Sequence, residues 1–561
     1  MATIETKSFN SPAREAEAAN GSGAGRDVSK PQRIERNVVL ILALLVIVGL
    51  GFRVSQLSAI GFAEDEVNKV EAIEAFEQGN IGVNAEHPML MKTLMYASVQ
   101  IAHKLASAGK VLADETVFRL PNAIVGALTV IPLFLLTAAF FDRRTGLLAA
   151  AFWAVGLNAI TINRVGKEDT LLVFFMLFGF YFYLRAKQTS PRDEQTRKKN
   201  YLLSGVSFGL MMASKYFPHY LGLNALYHQF FRVRKSEPGD PPGKTYRVFY
   251  LAFLLAFLVA NPPVLLPQVW NYLNAYMGEK LLVHSGYLFA DQIYHNKVSS
   301  TPFGAPVYFY VLFMAIKIPL LVLGSFLVGL IVSVKRRTHP GHAFALFMFL
   351  LWIVPYSLMG AKWLRYTLSL MPFVYMISAI GLAALVGFFS ARLASPGARN
   401  IVAAALIVIF IGLPAWAAYN SAPHYALYTN ALGKNHVGHF FPHDEFYDDG
   451  LREAIKYVCD NAPKSAIIAH ETPAVTRFYL RRFGREDLNS KAISAPDFDV
   501  TTISGPAYII IQKGRTYFEN RDKISFVKSH MTKVHEVQVT GLTAAEIFVK
   551  GTPAAAALVR P

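Results

Sequence analysis

Long apolar runs organise this chain. Roughly 20 largely apolar residues cross a bilayer as a helix. On that measure the candidate spans are 37–58, 118–141, 147–163, 170–185, 201–214, 216–231, 248–266, 306–334, 343–359, 366–390 and 400–417. A further run, 90–108, is only modestly apolar and carries Lys92, His103 and Lys104. Residues 1–36 are rich in Ala, Ser, Gly and charge, show no apolar period, and read as a disordered tail. The run from Val38 to Leu50 has no clear small-residue cleavage site, so it reads as a retained span and not a removed signal. After 418 the pattern changes. Helical periods appear over 448–460 (Leu451, Ala454, Ile455 and Val458 on one face), 473–483 and 515–525. Strand-like runs fall at 465–469, 507–512, 533–539 and 546–550, an alternation that predicts a small soluble α/β domain.

Composition agrees with the spans. Hydrophobic residues make up 53% and charged residues only 17%, against about 25% charge in soluble domains. Charge then sets the topology. Lys and Arg number 55 against 38 Asp and Glu, and the excess gathers in short loops: Arg143–Arg144, the stretch 185–199, 232–247, 335–337, and Arg392 with Arg399. All of these fall on one side of the membrane only if 90–108 does not cross. The expected architecture is therefore an α-helical polytopic membrane protein with about eleven transmembrane helices. Its N-terminus lies inside, 90–108 is a juxtamembrane or re-entrant helix, and the C-terminal α/β domain lies outside. The divisions are a tail 1–36, a membrane domain 37–420 with outer loops 59–117 and 267–305, an outer domain 421–551, and a disordered tail 552–561. The basic excess is explained by the bilayer, and nucleic acid is not expected as a partner. A single cysteine, Cys459, allows no intrachain disulfide.

Chemistry-bearing residues collect on the outer side. Glu64, Asp65 and Glu66 open the first outer loop, and Arg164 to Asp169 form a short turn on the same face. Taken alone, the first segment reads as an interfacial helix with a solvated acidic face and Asp65 as its N-cap. Ionisable residues at membrane depth are costly, however, and two acidic clusters far apart in sequence now share one compartment. His87 to Lys92, Lys215, Lys317, and Lys362-Trp-Leu-Arg365-Tyr366 add cations where the inner side is normally favoured. Carboxylates facing cations at one membrane surface suit a lipid-linked phosphate. Cations would hold the phosphate and stabilise the leaving group, and a carboxylate would take a proton from an acceptor hydroxyl.

These motifs resemble the GT-C glycosyltransferases that use polyprenyl-phosphate sugars, the protein O-mannosyltransferases and the lipid A aminoarabinose transferases among them. Asp65-Glu66 matches the acidic pair of the first outer loop. His87 to Lys92 is similar to a His-Pro-Pro-Leu-x-Lys motif with Met89 at the second proline, and Arg119-Leu-Pro121 opens the next span. Arg164 and Asp169 match the second-loop acid, and Lys362, Arg365 and Tyr366 match Lys-x-x-Arg-Tyr, with Ser369 where a proline usually follows. The segment His284 to Tyr308 looks like the long outer loop of bacterial members. The resemblance covers about 37–420. It implies inverting transfer, with Asp65 as general base or acceptor-orienting group and Glu66 and Asp169 shaping the acceptor and sugar site. Lys92, Lys362 and Arg365 would bind the lipid phosphate. His87, Arg164, Lys215, His284, Tyr287 and Tyr366 complete the candidate substrate-binding set. No metal or cofactor is assigned. The implied partners are a polyprenyl-phosphate sugar, a protein or glycolipid acceptor and the bilayer of a bacterial inner membrane. The competing readings are a lipid or sugar transporter without transferase activity, and a membrane scaffold. No internal repeat favours a transporter.

Overall fold

A computed structural model describes residues 35–107, 114–190, 192–216, 247–278 and 285–550. Residues 1–34 of the expected tail 1–36, the whole expected tail 552–561, residues 217–231 of the span 216–231, and His284 lie outside the described residues. Among the described residues, six helices are long and apolar enough to cross a membrane: Arg36–Val54, Glu115–Phe140, Asp169–Gln188, Pro340–Leu358, Met371–Ser390 and Pro396–Asn420. The pair Arg143–Val155 and Leu157–Asn163, bent by 56°, adds a seventh if it forms one span.

Among the described residues the expected eleven spans are thus not all matched. The run 306–334 is interrupted at Ile318–Pro319 and gives Phe309–Lys317 and Leu320–Lys335. The run 248–266 ends as a 14-residue helix, Arg247–Ala260, before a 3-10 turn started by Pro262 and Pro263. Proline cannot donate to the helical ladder and clashes with the preceding turn, so it ends a run that apolarity alone would continue. Residues 89–107 form a helix that is not among these candidate spans.

Small residues let the membrane helices approach closely. A Cβ on Gly329 would lie 1.9 Å from the Ile377 carbonyl oxygen, and one on Gly381 1.9 Å from that of Ser325, so Leu320–Lys335 and Met371–Ser390 cross backbone to backbone. The bend at Gly156 is satisfied from a neighbouring helix. The buried Arg53 guanidinium donates to the Ala154 carbonyl at 3.1 Å, the Trp153 carbonyl at 3.2 Å and Asn163 Oδ1 at 2.9 Å. The two carbonyls belong to the last turn of Arg143–Val155, where a helix end leaves carbonyls short of donors.

Beyond the membrane helices, a short hairpin pairs β1 (Tyr287–Phe289) with β2 (Gln292–Tyr294). The C-terminal domain is a five-stranded sheet of β3 (Ile467–His470), β4 (Asn489–Ala492), β5 (Ala507–Gln512), β6 (Thr532–Val539) and β7 (Leu542–Val549). The order is β4-β3-β5-β7-β6, with β4, β3 and β5 parallel and β7 and β6 antiparallel. β5 is buried at every position, as its unbroken Ala-Tyr-Ile-Ile-Ile-Gln run requires of a central strand. The helices Leu451–Asn461, Pro473–Arg482 and Arg521–His530 accompany the sheet.

This domain does not stand apart. Leu451, Ile455, Val458, Val475 and Tyr479 share one apolar core with Phe62, Val67, Val70, Ile73, Met91 and Met95 of the first outer loop. Polar contacts seal the junction. The Phe62 amide donates to the Tyr479 hydroxyl at 2.7 Å, and Tyr479 donates to Glu115 at 3.0 Å. Arg452 donates to the Ser58 and Ala59 carbonyls at 2.8 and 2.6 Å.

Candidate functional site

The helix Glu64–Glu77 begins with three acids, which its positive N-terminal dipole favours. Ala63, not Asp65, occupies the cap position, and Glu66 Oε2 accepts from the Ala63 amide at 3.1 Å. Glu66 is fully buried. Arg119 grips it through Nε at 2.8 Å and Nη2 at 2.6 Å, and the Gly166 amide donates to Oε1 at 2.7 Å. Glu66 thereby ties the first outer loop to the turn 164–169.

That turn is knitted to the loop at each step. Lys167 pairs with Asp65, and Glu168 with the buried Lys69 at 2.9 Å. His87 Nδ1 lies 3.6 Å from Glu168. Asp169, at the start of its helix, is bonded by Lys215 Nζ at 2.6 Å. Arg164 turns the other way. Its Nη1 and Nη2 take the carbonyls of Phe52, Arg53, Ser55 and Gln56, closing the end of Arg36–Val54.

Asp65 stands at the centre. Three donors converge on its Oδ2: Lys167 Nζ, Arg365 Nη1 at 3.1 Å and the Tyr447 hydroxyl at 2.7 Å. No described residue donates to Oδ1. Burial opposes ionisation of Asp65, but Lys167, Arg365 and Lys69 outweigh it and hold the carboxyl well below the usual carboxylate range. Burial, with Arg365 beside it, brings Lys167 down to about 8. Burial pushes the His87 imidazole down to about 3 against the pull of Glu168, so it is neutral near pH 7. Arg365 has only the Asp65 bond among the described residues, which leaves Nε and Nη2 able to donate elsewhere.

The remaining predicted residues fall in two groups. Lys215 and Tyr366 belong to the site: the Lys215 ammonium lies 4.9 Å from the Tyr366 ring centroid, and Arg365 lies 5.6 Å from the same ring. Lys92 and Lys362 spend hydrogens on their own loops. Lys92 binds the carbonyls of Val83, Asn84 and His87 at 3.3, 2.6 and 3.0 Å, and Lys362 that of Met359 at 2.6 Å. Tyr287 is buried and donates to Asp444 Oδ2 at 2.5 Å, while Asp444 Oδ1 accepts from the Leu364 amide at 3.1 Å.

A pocket of about 1100 Å³, counting the open solvent it runs into, lies between the membrane helices and the C-terminal segment, lined in part by the Asp65 partners Lys167, Arg365 and Tyr447. Leu57, Leu157, Ile162, Phe313 and Tyr425 give it an apolar wall. Arg164, Lys167 and Arg365 present cations, and Asp444, Glu445 and Asp449 carboxylates. Burial raises Asp444 to about 6 despite its bond from Tyr287 and the nearby Arg365. Among the described residues, no group of three or more His, Cys, Asp or Glu is placed to share a metal ion.

Sequence reasoning missed Lys69, Lys167, Glu168, Asp444 and Tyr447. Lys167 and Glu168 sit inside the turn it had already singled out. Nothing local marked Lys69, one cation on an acidic helix, and nothing marked Asp444 or Tyr447.

The sequence profile of the family described as dolichyl-phosphate-mannose-protein mannosyltransferase matches residues 99–270. No curated protein matches the chain. Among solved structures, ArnT from Cupriavidus metallidurans in the apo state aligns with 93% of this chain and 99% of its own, at 14% identity and a TM-score of 0.51. The oligosaccharyltransferase of Archaeoglobus fulgidus in the apo form aligns with 85% of this chain and 69% of its own, at 13% identity and a TM-score of 0.47. The chain thus shares the fold of ArnT, and its residues 99–270 are similar to the dolichyl-phosphate-mannose-protein mannosyltransferases.

Proposed function

We propose that this protein transfers a sugar from a polyprenyl-phosphate donor to a hydroxyl acceptor at the outer face of a bacterial inner membrane, with inversion at the anomeric carbon. The observation that carries the reading is the Asp65 carboxylate: open at Oδ1 and bound through Oδ2 by Lys167, Arg365 and Tyr447, all three of which line a largely apolar pocket. The profile match supports a lipid-phosphate sugar as donor, since the family it describes uses dolichyl-phosphate mannose.

In this reading the acceptor hydroxyl donates to Asp65 Oδ1. Its oxygen attacks the anomeric carbon, the bond from that carbon to the phosphate oxygen breaks, and the proton passes to Asp65. The lipid phosphate leaves as a dianion beside the free donors of Arg365, with Lys215 close to the same tyrosine ring. A carboxylate as acidic as Asp65 is a weak base while three donors hold it. An incoming phosphate competes for Arg365 and Lys167, which relieves Asp65 and raises its basicity only when the donor is bound. Glu66 and Lys69 hold the loop and the turn together, and Asp169 fixes Lys215.

The test is transfer in detergent from a panel of radiolabelled polyprenyl-phosphate sugars, with membrane extract as acceptor. Wild type should move label and Asp65→Asn should not, although it inserts and folds. An Asp65→Asn protein that transfers at the wild-type rate would falsify the assignment of the base.

A further inference from the structure

The segment that reaches Asp65 from the C-terminal side has an unusual backbone. The short helix Pro442–Phe446 ends at Tyr447, which adopts φ 40° and ψ 55°, and Asp448 follows at φ 66°. Two successive non-glycine residues in the left-handed region carry a conformational cost, and such a cost persists where the surroundings fix it, often at functional sites. Here the surroundings are specific. Asp448 is buried and held by Arg515, with Nε to Oδ1 at 2.8 Å and a second bond from Nη2 to Oδ2 at 2.5 Å. Asp448 Oδ2 also accepts the Glu64 amide at 3.0 Å, one of the free amides at the start of the Asp65 helix. Arg515 Nη1 reaches Glu64 Oε2 at 2.9 Å. The domain therefore grips the residue before Asp65 by backbone and side chain. The left-handed turn then aims the Tyr447 hydroxyl at Asp65 Oδ2, 2.7 Å away.

We propose that the C-terminal domain completes the reaction site, with Tyr447 as the positioning residue that turns the Asp65 carboxylate so that Oδ1 faces the acceptor. This rests on the function proposed above. Lys167 and Arg365 also hold Oδ2, but both are cations that the donor phosphate draws away. The phenol is neutral and has no competing partner in that exchange. It is the donor that keeps Asp65 oriented during the reaction, and the clamp formed by Asp448 and Arg515 keeps the phenol in place.

The experiment uses the full chain in detergent as wild type, Tyr447→Phe and Asp65→Asn. Phenylalanine removes only the hydroxyl, and the thermal midpoint checks that the fold is kept. The first readout needs no activity. The antisymmetric stretch of the Asp65 carboxylate, identified in infrared difference spectra by its loss in Asp65→Asn, should move in Tyr447→Phe. The second is kinetic: kcat should fall about tenfold or more, as misplacement of a reacting group does, while KM for the lipid donor stays unchanged. An unmoved band overturns the proposal, and so does a moved band with wild-type kcat. Transfer by Asp65→Asn, or no transfer by wild type from any donor, sinks the proposed function instead, and this inference falls with it. An inert Asp65→Asn beside a Tyr447→Phe protein with wild-type kcat sinks this inference alone.

Discussion

Replacing Arg119 with leucine should be among the most damaging single changes outside the reacting groups. Arg119 is 4% exposed and uses all of its nitrogens: two bonds to Glu66, and others to the carbonyls of Leu57, Ile60 and Gly61 at 3.0, 2.7 and 2.7 Å. Leucine keeps the bulk of the aliphatic stem but leaves the fully buried Glu66 carboxylate with only two amide donors. Removing one partner of a buried ion pair costs about 3–5 kcal/mol. Each carbonyl stranded away from water adds about 1–3 kcal/mol. The cost is mainly that of the unpaired charge, so Glu66→Gln should return much of it, because the amide oxygen still accepts from Gly166. Urea unfolding in detergent of wild type, both single variants and the double variant gives the coupling. We expect at least about 2 kcal/mol between the two sites, well beyond the roughly 0.5 kcal/mol scatter of independent positions. A coupling within that scatter, or an Arg119→Leu protein as stable as wild type, refutes the argument.

Two further changes probe other parts of the fold. Gly329→Leu drives a side chain into the Ile377 carbonyl, which lies 1.9 Å from the Cβ position, and should abolish recovery of monodisperse protein after detergent extraction, whereas the same change at Gly324, with no atom within 4 Å, should not. Asp444, raised to about 6, binds a proton more tightly in the folded than in the unfolded chain. Stability should therefore fall as pH rises from about 4 to about 6, and Asp444→Asn should flatten the unfolding midpoint across that window. A midpoint in Asp444→Asn that still tracks pH as the wild type does would contradict the assignment.

The sequence carried the architecture wherever one physical signal dominated. Helix Pro340–Leu358 lies within three residues of the apolar run 343–359, and β5 spans the residues read as a strand, because continuous burial leaves a continuous apolar record. The expected count of spans is not confirmed among the described residues, where proline breaks two of the apolar runs, at Pro319 and at Pro262–Pro263. Strand β4, Asn-Ser-Lys-Ala, was invisible: it is an edge strand whose side chains are half-exposed, so neither apolar run nor alternation marks it. In the site, Asp65 and the turn 164–169 could be read because charge at a membrane boundary is conspicuous. Tyr447 could not, because its contact joins positions 382 residues apart through a backbone turn that composition does not encode.

The apolar core shared by the first outer loop and the C-terminal domain also constrains how the protein is made. Phe62, Val67, Val70 and Ile73 emerge early, yet their partners Leu451, Ile455 and Val475 follow roughly 380 residues later. At about 5–20 residues per second, that interval is roughly 20–75 s of synthesis. Throughout it, the apolar face of the Asp65 helix is uncovered. Biogenesis therefore has to protect this loop until the last part of the chain is made. A nascent protein halted after its last membrane helix would be inserted but not assembled, and a natural target for quality-control proteases and chaperones.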